Sequence, residues 1–193
     1  MRVIAGICRG TALRGGHGPQ FRPTAQLVRG SIFDTIGALV EGTSVLDLFA
    51  GSGAFGIEAL SRGAARAVFI EQDRTILRAL RTNLERCRLT GRAEVIQGDA
   101  MRHLERLIRS AAEFDIVFAD PPYASGLPAA VAAAVAGAGR PFCRLLITES
   151  DRPVPAPGQG ALEAARERKF GQTIITYFEY RPQAGGDTTE GAS

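Results

Sequence analysis

The chain holds 193 residues, 45% hydrophobic and 22% charged, with a net charge of +3, enough for one globular domain with a sizeable core. Cys8, Cys87 and Cys143 are odd in number and far apart, with no C-x-x-C pair, and His17 and His103 are the only histidines, which argues against a zinc site or a disulfide framework; no metal is expected. No apolar stretch approaches the roughly 20 residues that cross a bilayer, and the N-terminus lacks a signal-peptide core, so a cytoplasmic protein away from membranes is expected; with no coiled coil or long apolar patch in the sequence, a monomer is expected.

Charge is distributed unevenly. Residues 1–33 contain Arg2, Arg9, Arg14, Arg22 and Arg29 and no acid, whereas the remaining 160 residues hold 18 bases against 20 acids. Planar guanidinium forks bind phosphate oxygens in pairs, so these five arginines are expected to meet nucleic acid. Within the segment, residues 2–7 and 11–13 read as a short β-hairpin around Arg9 and Gly10, followed by irregular chain over 15–23. Thr24 then caps a helix carrying Leu27, Val28, Ile32, Phe33 and Ile36 at helical spacing.

After the turn at Gly42, strands over 44–49, 67–71, 93–97, 114–119 and 144–149 alternate with helices over 56–62, 74–88, 100–109 and 128–138. The helix at 74–88 places Ile76, Leu77, Leu80, Leu84 and Cys87 on one stripe and its arginines largely off it, so that side covers a sheet. Repeated βα units predict a doubly wound, mostly parallel α/β sheet with right-handed crossovers. Residues 161–170 and 173–180, flanking Gly171 and Gln172, add a C-terminal antiparallel hairpin and bring the count to seven strands. The chain then divides into a basic extension over 1–40, an α/β domain over 41–182, and a polar, Gly-rich tail over 183–193 expected to be disordered.

In such sheets ligands collect at strand carboxyl ends near the switch in strand order, and two motifs fall there. Gly51, Gly53 and Gly56 satisfy G-x-G-x-x-G, and Glu71 stands at the end of the next strand, where a carboxylate can take both ribose hydroxyls. That pair alone fits NAD and S-adenosylmethionine equally. Asp47, four residues ahead of the first glycine, separates them. A carboxylate there repels a pyrophosphate but suits the ammonium and sulfonium of S-adenosylmethionine. Asp99, between Gly98 and Ala100, can cap the next helix or accept from an adenine amino group; its place in the series Asp47, Glu71, Asp99, Asp120 favours the adenine role.

The second motif is Asp120, Pro121, Pro122 and Tyr123, directly behind an apolar strand. Consecutive prolines forbid helix and donate no N–H, which leaves the turn's carbonyls free as acceptors. An amine donor on a flat nitrogenous ring is gripped there.

These residues resemble the class I S-adenosylmethionine-dependent methyltransferases that modify exocyclic amino nitrogens. The basic hairpin, Arg22, Pro23, Thr24, Val28, Arg29, Phe33 and the late Lys169, Phe170, Gly171, Gln172 and Thr173 narrow the resemblance to the bacterial RsmD family, over about residues 1–181. The resemblance implies a Rossmann-like methyltransferase domain with S-adenosyl-L-methionine as cofactor, held by Asp47, Phe49, Ala50, Gly51, Ser52, Gly53, Glu71, Gln72, Asp99, Ala100 and Asp120. It implies catalysis at Asp120, Pro121, Pro122 and Tyr123. It also implies 16S ribosomal RNA of the small subunit as partner, with methylation at N2 of the guanine conventionally numbered 966 and RNA contacts from Arg2, Arg9, Arg14, Arg22 and Arg29. The chain departs from the family pattern at Gly30, Ser31 and Asp34, where Glu, Ala and Asn are usual.

Methyl transfer is an in-line displacement that needs little acid catalysis, but a base's amino lone pair is delocalised into its ring. Acceptors on both N–H groups stabilise the positive charge as it develops on nitrogen. Asp120 and the Pro121 carbonyl fit that role, and Tyr123 is expected to stack on the extruded base. Two other functions fit the motifs: a DNA adenine-N6 methyltransferase, for which about 40 residues of extension leave little room to read base edges, and a noncatalytic RNA-binding or assembly factor, which has no need of intact acids. An NAD-dependent oxidoreductase is more remote.

Overall fold

The computed structural model describes residues 1–15, 23–122, 126–158 and 162–181. In chain order these form α1 (Pro23–Ile36), a 3-10 turn (Gly37–Val40), β1 (Ser44–Asp47), α2 (Ala54–Ser61), β2 (Arg66–Glu71), α3 (Arg74–Arg86), a second 3-10 turn (Thr90–Arg92), β3 (Ala93–Gln97) and α4 (Ala100–Arg109). Then come β4 (Phe114–Ala119), α5 (Leu127–Ala136), β5 (Cys143–Ser150), β6 (Leu162–Phe170) and β7 (Thr173–Tyr180).

The seven strands form one sheet in the order β3-β2-β1-β4-β5-β7-β6. β1 to β5 run parallel to their neighbours, and β7 lies antiparallel between β5 and β6. This is the doubly wound sheet with a C-terminal hairpin that the alternation predicts. Strand order reverses between β1 and β4, so the crevice above those two strands is the switch point.

Side chains alternate across each strand, so the sheet has two buried faces. Val45, Phe69, Ile116, Phe118, Ile147 and Ile175 join one core cluster with residues of α1, α2 and α3. Leu46, Val68, Ile70, Val117, Leu146 and Phe178 join the other with α4 and α5. A stack of Phe33 on Phe55 at 4.9 Å, and of Phe55 on Phe118 at 4.0 Å, ties α1 and α2 to β4. At the sheet edge, β6 exposes Glu163, Arg166, Glu167 and Arg168 and carries a register shift between Ala164 and Arg166, both of which discourage pairing with another strand.

Four expectations need correction. The N-terminal hairpin is present but shorter than 2–7 and 11–13: Val3 N–H donates to the Thr11 carbonyl, Gly10 N–H to the Val3 carbonyl and Leu13 N–H to the Met1 carbonyl, around one bridge between Arg2 and Ala12, and Ile4 and Ala5 turn their amides to the Glu58 carboxylate instead of a partner strand. α1 starts at Pro23, a residue suited to the first helical turn, so Thr24 lies inside the helix and is not its cap. Leu27 is 71% exposed and off the apolar face. The first strand stops at Asp47, two residues short of Phe49, because the glycine turn follows at once. Residues 16–22, expected to be irregular, and 183–193, expected to be disordered, lie outside the described residues. Among the described residues no helix is long and apolar enough to cross a membrane.

Residues 1–13 are not a loose extension. Val3, Cys8 and Leu13 are buried in the first core cluster. Glu58 on α2, wholly buried, accepts from Ile4 N–H at 2.7 Å, Ala5 N–H at 2.9 Å and Arg62 Nε at 2.8 Å. Ser61 Oγ donates to the Ala5 carbonyl and accepts from Cys8 N–H.

Candidate active site

The cleft is built on the short step from β1 into α2. Asp47 is only 1% exposed, and its Oδ2 accepts from Gly56 N–H at 3.1 Å in the first turn of α2. Burial pushes its carboxyl up to about 7; the Gly56 N–H opposes the rise and the Glu71 charge adds to it. Between them, the Ala50 amide donates to the Ile70 carbonyl at 3.0 Å and the Gly53 amide to the Ala50 carbonyl at 2.7 Å, which folds the turn against β2. Gly53 takes a φ of 78°, and a Cβ there would run into Leu80. A Cβ on Gly56 would enter the Phe69 ring, so the fingerprint glycines seat the turn on α3 and β2.

Glu71 closes the turn from the β2 side. Its Oε2 accepts from Gly51 N–H at 2.9 Å and its Oε1 from Asp73 N–H at 2.8 Å. Each oxygen retains a second lone pair for a ligand hydroxyl. Gln72 beside it is exposed, Phe49 and Ser52 are half-buried, and Ala50 is buried. Asp99 is exposed and caps α4, accepting from Arg102 N–H at 2.9 Å; Ala100 behind it is buried. The capping role weighed for Asp99 is therefore present, and its second oxygen is not used by that bond.

Asp120 follows β4 on the strand next to β1. Register pairs Asp47 with Phe118, so the two acids leave adjacent strands two residues apart. Asp120 as a residue is exposed, yet neighbouring protein atoms desolvate its carboxyl. That desolvation, then the charge of Glu149, then that of Asp47, hold it well above the usual carboxylate range. Pro121 is buried and Pro122 exposed; Tyr123 lies outside the described residues. Behind the diproline corner is a cavity of about 110 Å³, lined by Pro121, Pro122, Pro128, Glu149, Arg152 and Pro153 among others, roughly the volume of three to four waters.

The nominated arginines separate. Arg2, Arg9 and Arg14 are exposed, with Arg2 donating to the Gly10 carbonyl at 2.8 Å, and Arg22 lies outside the described residues. Arg29 is 5% exposed and cannot reach RNA. Its Nη2 donates to the Arg2 carbonyl at 2.7 Å, its Nη1 contacts Met1 Sδ at 2.7 Å, and its Nε faces Glu58 at 3.7 Å. Its position on α1, on the same side as Val28 and Ile32, is the physical reason: the guanidinium faces the core and holds the arm.

Sequence reading missed Asn83. Wholly buried on α3, its Oδ1 accepts from Arg14 N–H at 2.7 Å while its Nδ2 donates to the carbonyls of Arg14 at 2.7 Å and Ser52 at 2.9 Å. It joins the basic arm to the glycine turn. One polar residue in the stripe of Leu77, Leu80 and Leu84 was the available signal, as was Glu58 amid the apolar residues of α2.

Asp47 and Glu71 thus hold the glycine turn from β1 and β2, and Asp99 stands at the end of the next strand, β3. This donor set fits a ligand rich in hydroxyl, amino and cationic groups, and disfavours phosphates. Among the described residues, no group of His, Cys, Asp and Glu is arranged to hold a metal ion.

Ribosomal RNA small subunit methyltransferase D of Escherichia coli strain K12 is 40% identical over 127 residues, 66% of this chain and 62% of that protein. Its namesake from Haemophilus influenzae is 31% identical over 185 residues, 94% of this chain and 93% of the relative. The solved structure of Escherichia coli yhhF superposes with a TM-score of 0.79 at 33% identity, covering 95% of this chain and 99% of that one. The family model described as Conserved hypothetical protein 95 matches residues 1–179, and the chain belongs to that family, the RsmD family of class I methyltransferases.

Proposed function

We propose that this chain transfers a methyl group from S-adenosyl-L-methionine to the exocyclic N2 amine of a guanine, position 966 by convention, in 16S ribosomal RNA of the small subunit. The observation that carries the reading is the placement of Asp47 and Asp120 at the ends of adjacent strands at the switch point, close enough for the charge of one to raise the pKa of the other. The names of the relatives support a ribosomal RNA substrate.

When bound, the cofactor supplies an electrophilic methyl carbon on a cationic sulfur. Asp47 sets a negative potential beneath the glycine turn, Glu71 takes ribose hydroxyls with its remaining lone pairs, and the second Asp99 oxygen accepts from an adenine amine. Phe49, Ala50, Gly51, Ser52, Gly53, Gln72 and Ala100 shape the remaining walls. Asp120 and the Pro121 carbonyl accept the two N–H groups of the target amine, stabilising positive charge as it forms on nitrogen. Pro122 keeps the corner rigid, and Tyr123 stacks on the base. Arg2, Arg9 and Arg14, with Arg22, contact RNA phosphates.

Incubation with tritiated cofactor and 30S particles, naked 16S RNA or duplex DNA tests the reading. Label is expected at guanine N2 of ribosomal RNA. Label in DNA adenine alone, or none in any substrate with the cofactor bound, would overturn it.

A further inference from the structure

The switch-point acids continue one strand further than the proposed chemistry uses. Register pairs Asp47 with Phe118 and Ala119 with Thr148, which sets Asp120 beside Glu149 just past the last paired residues. Val45, Phe118 and Ile147 belong to one core cluster. Asp47 and Glu149, each two residues beyond Val45 and Ile147, therefore project to the same face of the sheet, and Asp120, two beyond Phe118, continues the row. Neighbouring strands lie about 4.8 Å apart, so Asp120 and Glu149 stand level on β4 and β5, with Asp47 one strand over and two residues back. The charge of Glu149 on the Asp120 carboxyl accords with this spacing.

The row has direction. The glycine turn and Glu71 place the methyl donor over β1 and β2, so an amine held at Asp120 has the rest of its ring over β5. Glu149 lies there, half-buried and lining the cavity together with Pro121, Pro122 and Pro153. The prolines offer apolar walls to a flat base, and Glu149 offers an acceptor at its edge. In guanine the group beside the N2 amine is N1–H, a donor; in adenine the group beside the N6 amine is N1, a bare acceptor. A carboxylate welcomes the first and repels the second.

Resting on the guanine reading above, we infer that Glu149 is a specificity-determining residue that accepts the N1–H of the target guanine while its N2 amine sits at Asp120 and Pro121. The same hydrogen bond feeds electron density toward N2 and keeps adenine out, so one side chain separates the two base chemistries that the Asp-Pro-Pro-Tyr corner permits.

The test uses the full-length protein and 30S particles reconstituted with 16S RNA bearing guanine, 2-aminopurine or 1-methylguanine at the methylated position. 2-Aminopurine keeps the N2 amine but presents a bare N1; 1-methylguanine blocks N1. The wild-type enzyme is expected to prefer guanine over either by at least about 100-fold in kcat/KM. Glu149→Gln can turn its amide N–H toward a bare N1, so the preference over 2-aminopurine is expected to narrow at least 10-fold through faster 2-aminopurine methylation, with cofactor affinity by calorimetry unchanged. Glu149→Ala is expected to lose guanine turnover without that gain. An unchanged guanine-to-2-aminopurine ratio in Glu149→Gln would overturn the assignment of Glu149 alone. Wild-type methylation of 1-methylguanine as fast as guanine would do so without any variant. Label outside guanine would overturn the guanine reading and this inference together.

Discussion

Replacing Asp47 with Asn removes the most deeply buried acid of the cleft and tests whether the site is held at the expense of stability. The Asp47 carboxyl is pushed from 3.8 to about 7, chiefly by burial. In this window the native state holds a proton that the unfolded chain has released, so stability falls as pH rises from about 4 to about 7 and stays low above it. At about 1.4 kcal/mol per decade the full penalty is about 4 kcal/mol, of which about 3 kcal/mol develops between pH 5 and pH 8.5. Asparagine retains an oxygen for the Gly56 N–H and carries no charge to desolvate. Asp120 shifts in the same direction partly because of Asp47, so the substitution relieves it as well. For a chain of this size about 3 kcal/mol corresponds to roughly 5 to 10 °C in Tm. Thermal unfolding without cofactor, at pH 5 and pH 8.5, is expected to show the Asp47→Asn advantage growing by that amount with pH. Calorimetry is expected to show cofactor affinity lost in the variant and, in the wild type, rising with pH through about 7. A Tm difference that stays constant or shrinks with pH would refute the reasoning.

Asp120→Ala is expected to leave cofactor affinity nearly unchanged and to lower turnover at least about 100-fold, the cost of removing a preorganised acceptor from the charge-developing atom; equal turnover would remove Asp120 from the mechanism. Asn83→Ala strands the partners of a wholly buried side chain, the Arg14 amide and the Arg14 and Ser52 carbonyls. It should cost about 2 to 4 kcal/mol in chemical unfolding and weaken both cofactor and RNA binding, whereas loss of only one would deny that Asn83 links the two. Gly30→Ala should raise stability by up to about 1 kcal/mol in the same assay, because Gly30 lies inside α1 and a Cβ there meets only Ile4 Cδ1 at 3.7 Å; a fall in stability would show that the arm cannot yield.

The strands and helices after Gly42 were legible because each is long enough for its period to show: Ala67 to Ile70 is a continuous apolar run, and α3 carries its leucines at helical spacing. The glycine turn and the four strand-end acids were legible for a different reason, since each stands directly behind an apolar run that reads as a strand. What escaped depends on contacts distant in sequence. Arg29 looks like Arg2, Arg9 and Arg14, which are exposed, until Glu58, 29 residues later, takes it inward. The hairpin at 2–13 has a fair strand pattern, but two of its amides find a buried carboxylate, and a charge-assisted hydrogen bond there outweighs one more rung of a two-stranded ladder. Asn83 reads as a flaw in an amphipathic stripe unless the carbonyls of Arg14 and Ser52 are known to lie above it.

These long-range contacts converge on two helices, and that convergence gives the arm its meaning. The amides of Ile4 and Ala5 are fixed by Glu58 on α2, and Arg14 by Asn83 on α3. α2 begins at the glycine turn, and α3 follows Glu71 by three residues. The same helices that adjoin Asp47 and Glu71 therefore hold the arm that carries the exposed Arg2, Arg9 and Arg14. An arm joined only by a flexible linker could bind phosphate but could not fix where the base arrives. Displacement of a target amine by about 1 Å is enough to cost a large part of the rate, so under the proposed function the chain gains from referring the arm and the glycine turn to one rigid frame. The buried polar clamps at Glu58, Ser61 and Asn83 serve that purpose better than apolar packing would, because a hydrogen-bonded backbone has one register where a greasy contact tolerates several.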